Sequence, residues 1–297
     1  MELSSRHVGI HINPFDLEVT PRHAMNYAAA VGDNNPVYFD DERQGGIIAP
    51  PMLCVALTWP VSEKFWQYGN SGDFPFDVLQ RQVHYTETLE WNRPMRPGEK
   101  LRLEGEVFSI APHQAGTHMV LRYRGADSEG LPVFTEYIGG LLRGVRCKDG
   151  AKGDEKVPPI PRYVYTGSPE WEQPIAIDPL AAHVYDACAD IYFPIHTSVK
   201  FAHSVRLPRT ILHGTATLSL AIREMTNREA GADPGRLKAL GCRFTGMVIP
   251  GTTITVQLLS REVRGDLTDL HFVVLNHDGK KAISDGCLTV STQPSTG

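Results

Sequence analysis

Polar residues alternate with apolar or β-branched ones along residues 83–90, 100–110, 117–123 and 133–143, the period of strands with one buried face. Pro97-Gly98, Gly116 and residues 127–130 fall between them as turn signals, so the four segments read as an antiparallel meander. Two helical stretches precede it. The first runs through residues 24–30, with Thr20 placed as N-cap, Pro21 at the first helical position and Gly32 as the stop. The second starts from the apolar run at residues 52–57, after Pro50-Pro51.

The order then repeats. Residues 180–189 and 215–226 predict helices, and residues 237–245, 252–263, 267–275 and 281–290 predict strands, with Pro250-Gly251 where Pro97-Gly98 stood before. Between the copies, residues 148–179 carry Gly150, Gly153, Pro158, Pro159, Pro161, Pro169 and Pro174, which predict a linker without regular elements. The chain therefore divides into residues 1–147, a linker at 148–179, and residues 180–297. A helix followed by an antiparallel meander is an α+β layer pattern in which the sheet can wrap around the helix.

Composition narrows the function classes without choosing one. The 297 residues are 41% hydrophobic and 21% charged, as in ordinary globular proteins, and the formal net charge of -5 supplies no basic face for nucleic acid. Five dispersed cysteines, never in a Cys-x-x-Cys pair, predict reduced thiols rather than a disulfide framework or a zinc site. No apolar run is long enough for a membrane helix and the first residues lack a targeting pattern, so the expectation is a cytoplasmic protein. The histidines do not group with acids at metal-ligand spacing, and no P-loop, His-Glu-x-x-His or Gly-x-Ser-x-Gly element occurs. Residues 69–73, Gly-Asn-Ser-Gly-Asp, read as a turn rather than a nucleophile elbow.

The repeat also carries the candidate chemistry. Gly32-Asp33-Asn34-Asn35-Pro36-Val37-Tyr38 in the first copy is answered by Asp190-Ile191-Tyr192-Phe193-Pro194-Ile195-His196, and Ile211-Leu212-His213-Gly214 opens the long helix of the second copy. These residues resemble the MaoC-like, hydratase-2 branch of the hotdog fold, whose motif is Gly-Asp-x-Asn-Pro-apolar-His followed by an Ile-x-His-Gly loop. The first copy matches except at Tyr38. The second keeps the histidine but has Phe193 in place of Asn, with Asp190 six residues before His196 rather than five.

The resemblance implies a tandem, double-hotdog chain that hydrates a 2-enoyl-CoA, or dehydrates a 3-hydroxyacyl-CoA, without a cofactor or metal and with R stereochemistry. It puts His196 on the water and Asp190 in the acid or orienting role. Gly214 would offer its backbone N–H to the thioester oxygen at a helix N-terminus. His213 is a ligand contact or a loop-bonding residue. Arg206 and Arg209, with Lys200 upstream, are the nearest cations for coenzyme A phosphates, and the expected partner is the acyl-CoA itself, with a homodimer admitted. The N-terminal copy would shape the acyl tunnel. A hotdog acyl-CoA thioesterase and a non-catalytic acyl-thioester-binding subunit are the competing readings.

Overall fold

The computed structural model describes residues 1–68 and 72–295, so three residues of the predicted turn at 69–73 lie outside the described residues. The N-terminal half contains β1 (Glu2–Ser4), β2 (His11–Glu18), α1 (Pro21–Ala30), α2 (Leu53–Glu63), α3 (Phe65–Tyr68), β3 (Gln82–Trp91), β4 (Lys100–His113), β5 (Gly116–Ala126), β6 (Pro132–Arg143) and β7 (Arg146–Lys148). The C-terminal half contains β8 (Trp171–Ala176), α4 (Ala181–Ala189), α5 (Pro194–Thr197), α6 (Val199–Ser204), α7 (Gly214–Glu229), β9 (Leu237–Phe244), β10 (Thr253–Arg264), β11 (Leu267–Leu275) and β12 (Lys281–Ser291).

Ten of these strands form one sheet in the order β2-β4-β5-β6-β3-β9-β12-β11-β10-β8. Read outward from its centre, each half has the same succession, which is the signature of duplication. The halves join where β3 pairs antiparallel with β9, from Thr86 opposite Arg243 to Glu90 opposite Ala239. Two sheet edges that would each present unpaired amides are thereby satisfied by each other. Helices α2 and α7 supply the apolar filling on one face: Leu53, Cys54, Val55, Ala56, Leu57 and Val61 are buried from the first, and Leu218, Ala221, Ile222 and Met225 from the second.

The copies also agree in their turn chemistry. Val19 N–H bonds Glu99 O at 2.8 Å and Gly98 N–H bonds Val19 O at 2.7 Å; Ile177 N–H bonds Thr252 O at 2.8 Å and Gly251 N–H bonds Ile177 O at 2.9 Å. Both Pro-Gly turns therefore clamp the chain that leads into a helix. Thr20 caps α1 as expected, accepting from His23 N–H at 3.1 Å. The eight predicted strands and four predicted helices are all present, with ends displaced by a few residues.

The linker expectation needs correction at two places, a single 3-10 turn at Asp154–Lys156 and a strand near its end. Trp171–Ala176 is strand β8, paired with β10, and Pro174 does not forbid it because an edge strand need not donate on both sides. Upstream of β8 the connection crosses the sheet face opposite the helices. There Tyr163 stacks on His271 with ring centroids 3.9 Å apart, and its N–H bonds Asp285 Oδ1 at 3.1 Å. Strand β2 had no clear sequence signal, and β1 with β7 forms a separate two-stranded parallel pair.

Candidate active site

The site is built where three segments of the C-terminal half converge: the end of α4, the short helix α5, and the loop that starts α7. Its register follows from the N-terminal copy. Placing Pro194 over Pro36 sets His196 over Tyr38, Phe193 over Asn35, Ile191 over Asp33 and Asp190 over Gly32. Backbone geometry agrees, because Gly32 and Asp190 both terminate a helix in the left-handed region, at φ 62° and 56°. Asp190 thus occupies the glycine position of the motif, one of the few places where an Asp side chain is tolerated at positive φ. It is exposed and makes no hydrogen bond to His196. The position that corresponds to the motif's aspartate holds Ile191, which is buried.

His196 and His213 do come together. Their rings stack with centroids 3.7 Å apart and planes 25° from parallel. His196 Nδ1 lies 2.9 Å from Ile211 O, and because a carbonyl can only accept, Nδ1 carries the proton and Nε2 keeps its lone pair. His213 Nε2 donates to Ile191 O at 3.1 Å in the same way, leaving a buried Nδ1 without a partner among the described residues. Burial pushes His196 down to about 4, opposed by the bond to Ile211. Burial, reinforced by His196, pushes His213 down to about 2. Both imidazoles are neutral at pH 7, which is the form a general base requires.

Asp186, which lies outside the motif, is the one carboxylate within 4 Å of this pair among the described residues. Its Oδ1 is 3.9 Å from His213 Nε2 and has no hydrogen-bond donor among the described residues. Burial raises its pKa, opposed by nearby His183 and the Phe193 N–H, while the charge of Asp190 adds to the rise. The only signal in the sequence was its position one turn before the helix end, on the side shared with the buried Ala182 and Ala189.

Gly214 is the first residue of α7, with His213 as N-cap. Its N–H is one of the amides that a helix start leaves unpaired. A Cβ at this position would lie 3.1 Å from Phe244 Cδ1, so a side chain here would meet that ring. Arg206, Arg209 and Lys200 are exposed on and after α6, and none forms an ion pair among the described residues. They leave cationic charge beside the loop that delivers Ile211–Gly214, without forming a clamp.

In the N-terminal copy the equivalent place is sealed differently. Tyr38 is 1% exposed, and Asp33 is buried with Oδ1 accepting from Asn35 N–H at 3.2 Å. Arg223 from α7 bonds Val31 O at 2.5 Å and its charge reaches Asp33. Asn35 Nδ2 donates to Ala232 O at 2.8 Å. These bonds tie the first copy to the far end of α7, so its motif acts as a joint between halves.

Residues 6–136 match the FAS1-like dehydratase domain region, and residues 165–276 match the MaoC-like domain. An enoyl-CoA hydratase of Mycobacterium tuberculosis is 24% identical over 180 residues, 61% of either chain. A 3-hydroxyacyl-thioester dehydratase of the same organism is 26% identical over 88% of this chain and 89% of its own. Among solved structures, a MaoC-like dehydratase from Phytophthora capsici superposes with a TM-score of 0.82 at 23% identity, covering 97% of this chain and 98% of that one. Duplicated sheet, paired motif loops and both domain matches agree: the chain has a double-hotdog fold, with a FAS1-like dehydratase domain region in its first half and a MaoC-like domain in its second.

Proposed function

We propose that this hydro-lyase adds water reversibly to a 2-enoyl thioester at one site per chain, in the C-terminal half. The observation that carries the reading is the fixed state of His196: neutral, held by Ile211 O through Nδ1, and free at Nε2. In the hydration direction, water oxygen bonds to C3 while its proton passes to His196 Nε2. The electron pair displaced from the double bond leaves an enolate, whose oxygen meets the Gly214 N–H and the positive end of α7. C2 then takes a proton, giving a 3-hydroxyacyl thioester; dehydration is the same path reversed.

His213 holds the Ile191 segment against the start of α7, and its ring limits how His196 can turn. Lys200, Arg206 and Arg209 fit the phosphates of a coenzyme A carrier by charge. Residues 1–147 serve as the structural partner, and the catalytic unit starts near residue 180, with β8 as its edge strand. No helix among the described residues is long and apolar enough to cross a membrane. All five cysteines are free, which suits a reducing compartment, for which we propose the cytoplasm.

Product analysis with crotonyl-CoA tests the function. Hydration removes the enoyl absorbance without releasing thiol. Free thiol would instead identify a thioesterase, and saturable binding with neither change would identify a binding subunit. Asp190→Asn is expected to leave turnover within about twofold of the parent, since a carboxylate outside the reacting groups supplies no transition-state interaction. A loss approaching that of a general acid would return Asp190 to the site.

A further inference from the structure

Two tyrosines stand at equivalent positions of the two copies. Tyr27 lies five residues before Gly32, and Tyr185 lies five residues before Asp190, which fills the same slot. Tyr27 on α1 and Tyr185 on α4 meet where those helices pack together across the junction of the halves. Their rings lie edge to face with centroids 5.7 Å apart, and their hydroxyl oxygens are 3.0 Å apart. Both side chains are fully buried.

The direction of the hydrogen bonds follows from one end of the cluster. Ser219 of α7 donates its hydroxyl to Thr215 O at 2.7 Å, so its oxygen accepts from the Tyr27 hydroxyl at 2.8 Å. Tyr27 in turn accepts from Tyr185. All three hydroxyl protons are thereby used, and a satisfied cluster needs no bridging water.

This cluster lies on the interior side of the site. Tyr185 packs on His213 with ring centroids 5.0 Å apart, and His213 is stacked on His196. Thr215, Ser219, Ile222 and Thr226 follow one another at helical spacing along one side of α7, leading away from Gly214. The tyrosines meet that side near its start, at Ser219. Beyond them it borders a cavity of about 20 Å³, with Tyr27 and Ser219 as one wall and Pro51 and Met52 of the N-terminal half as another. That space holds about one water-sized group, so it has no room for an alkyl chain while the tyrosines stay in place.

We propose that Tyr27 and Tyr185 form the floor of the acyl pocket and restrict the enzyme to short 2-enoyl thioesters, those with few carbons beyond C3. The assignment rests on the hydration reading above. With the thioester oxygen on the Gly214 N–H and C3 at His196, carbons that run inward along α7 meet the two phenol rings. A longer chain must displace the hydrogen-bonded pair, leaving buried hydroxyls unpaired, or keep its methylenes in water and forfeit their burial. Tyr27 belongs to the N-terminal half, so the copy without the histidine decides which substrates the other copy accepts.

Initial rates with trans-2-enoyl-CoA substrates of different length test this. The parent protein should show a kcat/KM for crotonyl-CoA that exceeds the value for trans-2-decenoyl-CoA by about tenfold or more, because a single methylene that a pocket does not accommodate is already worth about that much. Tyr27→Leu removes the ring and opens the floor toward the cavity, so the decenoyl-to-crotonyl ratio should rise by about tenfold or more. Tyr27→Phe keeps the ring and should change the ratio by less than about threefold. A smaller preference in the parent, a smaller rise in folded Tyr27→Leu, or an equal rise in Tyr27→Phe overturns the assignment. If Tyr27→Leu does not fold, the parent's own profile decides. The hydration reading fails separately, if the parent forms no hydrated product from either substrate.

Discussion

His196→Ala is expected to lower kcat/KM for enoyl-CoA hydration by about 100-fold or more, the scale on which general-base catalysis contributes, while the melting temperature changes little. The ring is partly exposed, and its one hydrogen bond joins neighbouring loops rather than filling the core. Removing it deletes the atom proposed to receive the water proton without opening a large cavity. Tyr38→Phe, at the equivalent place in the other half, should alter the same constant by less than about threefold, because a phenol lacking a reacting partner contributes only local packing. Steady-state kinetics on the two variants distinguish the halves. Equal losses would place the chemistry in both copies or in neither.

The second large effect is on stability. Burial lowers the pKa values of His84, His118 and His196 from 6.5 to about 4, and that of His213 to about 2. In the unfolded chain all four take up protons below pH 6.5, while the folded chain refuses them. Their contribution is therefore complete above 6.5 and is lost as pH falls toward 4. Each unit of lowering corresponds to about 1.4 kcal/mol, so the combined loss reaches several kcal/mol, a large part of a typical folding free energy.

Glu87 and Glu136 work in the opposite sense. Their raised pKa values give stability that is full below 4.5 and declines as pH rises through the folded values. Four histidines against this coupled pair still leave stability rising with pH between 5 and 6.5. Denaturant unfolding at stepped pH checks the sign. A midpoint that stays flat or rises as pH falls from 7 to 5 would show that these imidazoles are not held neutral by the fold.

The duplication was legible because it is written in local chemistry. Two Pro-Gly turns, two Pro-apolar-aromatic triplets and two meanders with period-two alternation each follow from short-range rules, and a repeated order of parts constrains topology more than any single element does. β2 was missed because His11–Glu18 includes Asn13-Pro14 and alternates weakly. β8 was missed because its Trp171–Ala176 segment lies within a run of breakers, and pairing with β10 outweighs the local preference for a loop.

At the site, His196, His213 and Gly214 could be chosen from the motif, but Asp190 shows where sequence spacing fails. Its six-residue separation from His196 allowed a bulge. The αL conformation at the helix end shows instead that the aspartate stands in the glycine slot and the motif's acid has become Ile191. Asp186 could not be selected at all, because it approaches His213 only once α4 is packed against the start of α7.

The central claim is that the reacting thioester lies at the start of α7, between His196 and Gly214. It is tested most directly by a crystal structure with a non-reacting 2-enoyl-CoA analogue. The account predicts the thioester oxygen at about 2.7–3.1 Å from the Gly214 nitrogen, with C3 facing His196 Nε2. An analogue seated instead between Pro51 and Tyr38 in the N-terminal half, with the space beside His196 unoccupied, would contradict it.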